Sequence, residues 1–132
     1  MTETMTSGTV NFEILGWDET WTGELAEGWV LARATVRKRM TGAIEGTSVA
    51  EVSTTGQGTG RAYSALERVE GAVGGPTGSF LLQHGGAGDE TGQEAFGHIV
   101  PGTGTGELVG LRGTAVFAHD DEGARITLSW IL

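Results

Sequence analysis

The sequence predicts an all-β domain of about eight short antiparallel strands, arranged as a sandwich or a barrel, and three observations predict it. Glycine is abundant, 24 of 132 residues against 2 prolines, without the Gly-X-Y period of collagen. It is spread among valine, threonine and isoleucine, a mix that suits short strands joined by tight turns and opposes long helices. Several stretches alternate strictly between apolar and polar residues, a period of two that no helix explains. Gly- and Asp-rich breaks recur between these stretches, as strand connections require.

The elements follow in chain order. Val10, Phe12 and Ile14 alternate with Thr9, Asn11 and Glu13. A loop containing glycine and acidic residues is expected next, flanked by Trp17, Trp21 and Trp29. Val30, Ala32, Ala34 and Val36 then alternate with Leu31, Arg33, Thr35 and Arg37. Segments 43–53, 61–70, 78–84, 93–100 and 113–119 read as strands less cleanly. Breaks at 54–60, 71–75, 85–92, 101–106 and 120–123 separate them. Within 61–70, Ala65 to Glu70 are good helix formers, but six residues make a marginal helix, so the segment is assigned to strand. Ile126, Leu128 and Trp130 alternate with Arg125, Thr127 and Ser129, which places Trp130 on a core face. Each clean run has one wet and one dry face.

A chain of this length fits a single domain and can bury a core without disulfides or metals. Residues 1–7 are polar and expected to be loose, leaving 8–132 as the domain. Cysteine is absent, which excludes disulfides, thiolate nucleophiles and cysteine-ligated metals and suits a cytoplasmic protein. The opening Met1 to Gly8 has neither the basic nor the apolar region of a secretory signal. The formal net charge is −9, so nucleic acid and anionic membrane are not expected partners. The one basic cluster, Arg37-Lys38-Arg39 beside Arg33, reads as the solvated face of a strand.

Three blocks resemble the bacterial domain-of-unknown-function family 3224. They are Ala34 to Gly46 (ATVRKRMTGAIEG), Leu66 to Gly71 (LERVEG) running on to Gly78 to His84 (GSFLLQH), and Val100 to Gly113 (VPGTGTGELVGLRG). The last block is also similar to the Gly-Thr-Gly turn of allene oxide cyclases and plant dirigent proteins. The resemblance implies one closed eight-stranded antiparallel barrel with a central cavity, in agreement with the strand count. It supplies no catalytic residues. The C-terminal helix of allene oxide cyclase has no counterpart, because the chain runs from a strand directly to Leu132.

Familiar motifs fail on detail. No lysine follows the glycines of 101–113, as a P-loop requires, and Gly104-Thr105-Gly106 is followed by Gly110, one residue too far for a dinucleotide fingerprint. A strand connection using positive φ explains these glycines better. Three histidines, His84, His98 and His119, raise the question of zinc. A 78–84/93–100 hairpin centred near Gly88 would put His84 opposite Gly92 and His98 about 20 Å away. His84 and His119 can still share one barrel end, but hydrogen-bonded or exposed histidines are the reading adopted, and no metal or cofactor is expected. Gly-x-Ser-x-Gly is absent, and Ser48, Ser64 and Ser79 have no base that can be placed nearby.

The remaining candidates are carboxylates and aromatics. Most charged strand residues face water; Glu67 and Glu51 are the catalytic candidates. Glu67 shares a face with Tyr63, Ala65 and Val69, an apolar setting expected to hold the carboxyl protonated at neutral pH, as a hydrogen-bond donor to a substrate carbonyl. Tyr63, Gln83, His84, Trp17 and Trp29 are the ligand-binding candidates, the tryptophans as caps over an apolar ligand or as an oligomer contact. Gly46, Ser48 and Ala50, with Ala32 and Ala34, leave room in the barrel if they point inward. The expected function is binding of one small apolar, polyketide- or lipid-like molecule, with a cofactor-free cyclase or isomerase as its enzymatic form. The alternative is a non-catalytic binding or structural domain. A homodimer is expected, as in related barrels.

Overall fold

Every consecutive pair of strands forms an antiparallel ladder, and the first strand closes on the last. The computed structural model describes residues 4–120 and 123–132. Its strands are β1 (Thr6–Ala26), β2 (Trp29–Gly42), β3 (Ile44–Gln57), β4 (Gly60–Val73), β5 (Thr77–Asp89), β6 (Gly92–Ile99), β7 (Arg112–Asp120) and β8 (Gly123–Ile131). They form a closed barrel in the order β1 to β8. One 3-10 turn, Gly106–Leu108, is the only helical element among the described residues. The segment Ala65 to Glu70 is strand, so ladder pairing on both sides overrides its helix propensity.

Several expectations are corrected. Thr6 and Ser7 pair with Trp130 and Ser129, so part of the stretch expected to be loose belongs to β1; Met1 to Glu3 lie outside the described residues. The stretch 16–26, expected as a loop, continues β1 against β2. Register shifts at Ile14/Gly16, Trp21/Gly23 and Glu24/Ala26 keep it paired. Each shift inserts a residue and breaks the alternation, which is why the sequence pattern stops at Ile14. The glycine-rich stretch 85–92 is likewise mostly strand, with its hairpin closing at Asp89↔Gly92 rather than around Gly88. His84 therefore faces Gly97, and His98 faces Gln83.

The interior divides into two halves. Val10, Met40, Phe80, Leu82, Ile99 and Leu128, all at most 2 % exposed, belong to a core that fills the end reached by the β2–β3 and β4–β5 turns. Leu108 and Leu111 bring the long β6–β7 connection into that core. Its glycines behave as the connection requires: Gly102, Gly106 and Gly110 have φ of 85°, 61° and 92°. Trp130 packs there with Ile126 and Leu128, as its face predicts. Toward the other end the inward residues shrink to Ala32, Ala34, Ala50 and Ala65, all buried. Small side chains cannot fill an eight-stranded barrel, so this half is hollow.

Candidate functional site

The site lies where the packed half meets the hollow one, and alternation puts its side chains there. In β4, Tyr63, Ala65, Glu67 and Val69 share one face, as expected, and that face is inward. In β5 the inward series is Phe80, Leu82 and His84. In β2 it runs Ala32, Ala34, Val36, Lys38, Met40. Lys38 thus belongs to the dry face, and only its neighbours Arg37 and Arg39 point out, which corrects the reading of that cluster as a solvated face. Two more steps of the alternation that ends at Val36 identify it.

Glu67 is the centre of a buried polar network. Its Oε1 accepts from Lys38 Nζ at 3.2 Å and from His84 Nε2 at 2.7 Å, and its Oε2 accepts from Ser48 Oγ at 2.5 Å. The Tyr63 hydroxyl lies 2.9 Å from His84 Nδ1. The Lys38 ammonium sits 4.7 Å from the centroid of the Phe12 ring, and Phe117 stacks on the His84 imidazole with centroids 4.3 Å apart. Every oxygen of the buried carboxylate is therefore satisfied, as a charge out of water requires.

The protonation states follow from these contacts. Burial pushes the Glu67 carboxyl up, but the His84 hydrogen bond, the Lys38 charge, the Ser48 hydrogen bond and the His84 charge outweigh it and hold the group at about 2. Glu67 is an anion, which overturns the expectation of a neutral acid: the apolar neighbours are present, but three donors converge on it. The Tyr63 hydroxyl is pushed up to about 12, first by burial and then by the nearby Glu67 charge, so it keeps its proton. The carboxylate faces Nε2, so that nitrogen carries a proton and donates it to Glu67. The Tyr63 hydroxyl is the hydrogen-bond partner of Nδ1.

Above the network opens a cavity of about 760 Å³, large enough for a small ligand. Its floor includes Lys38, Tyr63 and His84, with Phe12, Phe117 and Val36 around them. Val52 and Ala62 continue its wall, and Trp17 and Arg61 stand higher toward the mouth. Glu67 does not line it. The carboxylate is fully buried behind Lys38 and His84, so it acts on the cavity only through them.

The sequence candidates separate cleanly. Tyr63 and His84 line the cavity, Glu67 anchors them, and Trp17 reaches the wall because the shift after Ile14 pairs it with inward Val36. Glu51 is not in the site: it is exposed and accepts from Thr35 Oγ1 at 3.1 Å. Gln83 is exposed and opposes exposed His98 on the outer face. Trp29 lays its ring against Gly60 and does not line the cavity. These three fail for one reason, parity: Glu51 and Gln83 lie on outer faces, and Trp29 is off the inward series of β2 that contains Ala32, Ala34 and Val36. His84 and His98 point to opposite faces and cannot share a metal; the side chain of His119 lies outside what is described. Lys38, Ser48 and Phe117 are the site residues that sequence reasoning missed.

A closed antiparallel barrel, packed at one end and hollow over a buried ionic network at the other, is the class of domain that this fold and site define. Within that class the chain belongs to the DUF3224 family, whose model, described as a protein of unknown function, matches residues 8–130. It is similar to a crystal structure of a protein of unknown function from that family in Shewanella oneidensis MR-1. That likeness has 27% identity and a TM-score of 0.78, covering 98% of this chain and 96% of the other. No curated protein matches the chain.

Proposed function

We propose that the barrel binds one small, mostly apolar molecule in its hollow half, with a polar group of that molecule seated on Lys38 and Tyr63. The observation that carries this reading is the cavity of about 760 Å³ ending on a fully satisfied polar network. A merely structural barrel gains nothing from burying an ion pair under an open apolar space, since such pairs are weak sources of stability. Titration with Nile red, a neutral apolar dye, tests it. Saturable enhancement of fluorescence is expected, and Val52→Trp, which fills the wall, should abolish it without unfolding the chain. Equal dye binding by both proteins would refute the cavity as the site.

One observation favours an enzymatic form of the same reading. Glu67, His84 and Tyr63 form a relay in which a carboxylate orients an imidazole and the imidazole holds a phenol at the cavity floor. That is a device for moving a proton at a fixed point. It suits a cofactor-free cyclase or isomerase of the allene oxide cyclase-like kind, where the pocket folds the substrate and Tyr63 serves as acid. Tyr63→Phe should then keep dye binding and lose turnover. The same proposal makes the protein a cytoplasmic homodimer. Its support is Trp21 and Leu25, 66% and 63% exposed on β1. Sedimentation at twice the 13.7 kDa chain mass is the expected result, and a monomer at all working concentrations is the contrary one.

A further inference from the structure

We infer that the ligand of this cavity is an acid, an apolar molecule bearing a carboxylate or enolate. The inference rests on the binding reading above and specifies its substrate class.

The charge lining the cavity is the first ground. The chain carries 17 acidic side chains and 8 basic ones. Yet among the described residues two basic groups, Lys38 at the floor and Arg61 near the mouth, line the cavity, against one acidic residue, Glu94. The acid that neutralises Lys38 is hidden: Glu67 is 0% exposed and lies outside the lining, so the cavity meets the cation and not its counter-ion. An ammonium has three donors. Among the described residues, the hydrogen bond Lys38 makes is to Glu67. Its remaining N–H groups are available to a ligand oxygen, and a charged acceptor makes the stronger bond.

The second ground is the second donor. The Tyr63 hydroxyl keeps its proton and stands on the same floor as Lys38. A carboxylate has two oxygens, each an acceptor, and can take one hydrogen bond from each group.

Calorimetric titration with decanoate and with decanol at neutral pH separates the possibilities. Decanoate is expected to bind about ten- to a hundredfold tighter than decanol, the range of a charge-assisted bond. The paired variant Lys38→Met/Glu67→Gln keeps the floor neutral and so remains foldable; it should bind the two probes alike. Tyr63→Phe, which removes the second donor, should narrow the preference for decanoate while keeping the part that Lys38 gives. Equal affinity of the native chain for both probes overturns the inference and leaves the binding reading standing. Binding of neither probe, together with no binding of Nile red, overturns both.

Discussion

At the scale of single residues, Glu67 decides most. It is fully buried and held at about 2 against an ordinary 4.5. A group whose folded value is depressed contributes stability above its unfolded value and loses it as pH falls through the folded one. That contribution is therefore complete above a pH of about 4.5 and declines toward 2, and its size is about 3 kcal/mol. Urea midpoints of the native chain should fall over that acid range. Those of Glu67→Gln should fall less there, because the variant has no carboxyl to protonate. At neutral pH, Glu67→Gln leaves Lys38 buried without its counter-ion and should cost about 3 to 5 kcal/mol. A neutral-pH loss below about 1 kcal/mol, the value of an exposed pair, would mean that the network is not closed as described. Tyr63, Glu67 and His84 were legible in the sequence because plain alternation puts them on one face of each strand. The charge of Glu67 was not, because the three donors that set it come from β2, β3 and β5, and no spacing along β4 reveals them.

At the scale of strands, pairing explains both what the sequence shows and what it conceals. Strand count, antiparallel order and the core face of β8 follow from period-two patterns, which bulges leave intact away from the insertion. The β1 bulges are invisible to the same logic, and they alone turn Trp17 toward the cavity. The reach of β5 was hidden in another way: Gly85, Gly86 and Gly88 look like turn residues but pair with Phe96, Ala95 and Gln93. Where strands approach closely, glycine is required for space. Gly46 of β3 opposes Gly71 of β4, and a Cβ at Gly46 would run into the Glu70 carbonyl oxygen. That oxygen belongs to a backbone fixed in the ladder and cannot step aside. Gly46→Ala should thus destabilise the barrel by about 1 to 3 kcal/mol, as overpacking does, read as a lower urea midpoint. An unchanged midpoint would show that β3 and β4 can part there without loss. Gly58, with φ of 61° and nothing within 4 Å of the place a Cβ would take, offers the contrast: there the cost of alanine is conformational and smaller.

At the scale of the whole molecule, the division into a packed and a hollow half sets where the barrel opens. Regions with few buried apolar contacts open locally at low cost, whereas core strands open only with global unfolding. The packed end holds Leu82, Ile99, Leu108 and Leu128, each at most 1% exposed. The hollow end is bounded by the long β1–β2 ribbon, where Trp17, Trp21 and Leu25 are 49%, 66% and 63% exposed and three bulges interrupt the ladder. Backbone amides of Thr20 to Glu24 should therefore exchange with deuterium at least about a hundredfold faster than those of Ile126 to Trp130, a gap of about 3 kcal/mol in opening free energy. The ion network sits between the two regions, so amides of Glu67 and His84 should follow the slow set. Ligand adds a second condition. A molecule that fills the cavity contacts the ribbon through Trp17 and the floor through Lys38, and it binds only the closed form. Saturating it should slow exchange both in Trp17 to Trp21 and in Ile126 to Trp130, because neither the locally open state nor the unfolded one binds and mass action stabilises only states that bind. Uniform protection along β1 and β8 in the free protein would show that the hollow half is as cooperative as the packed one, and that the cavity is held open by the barrel as a whole.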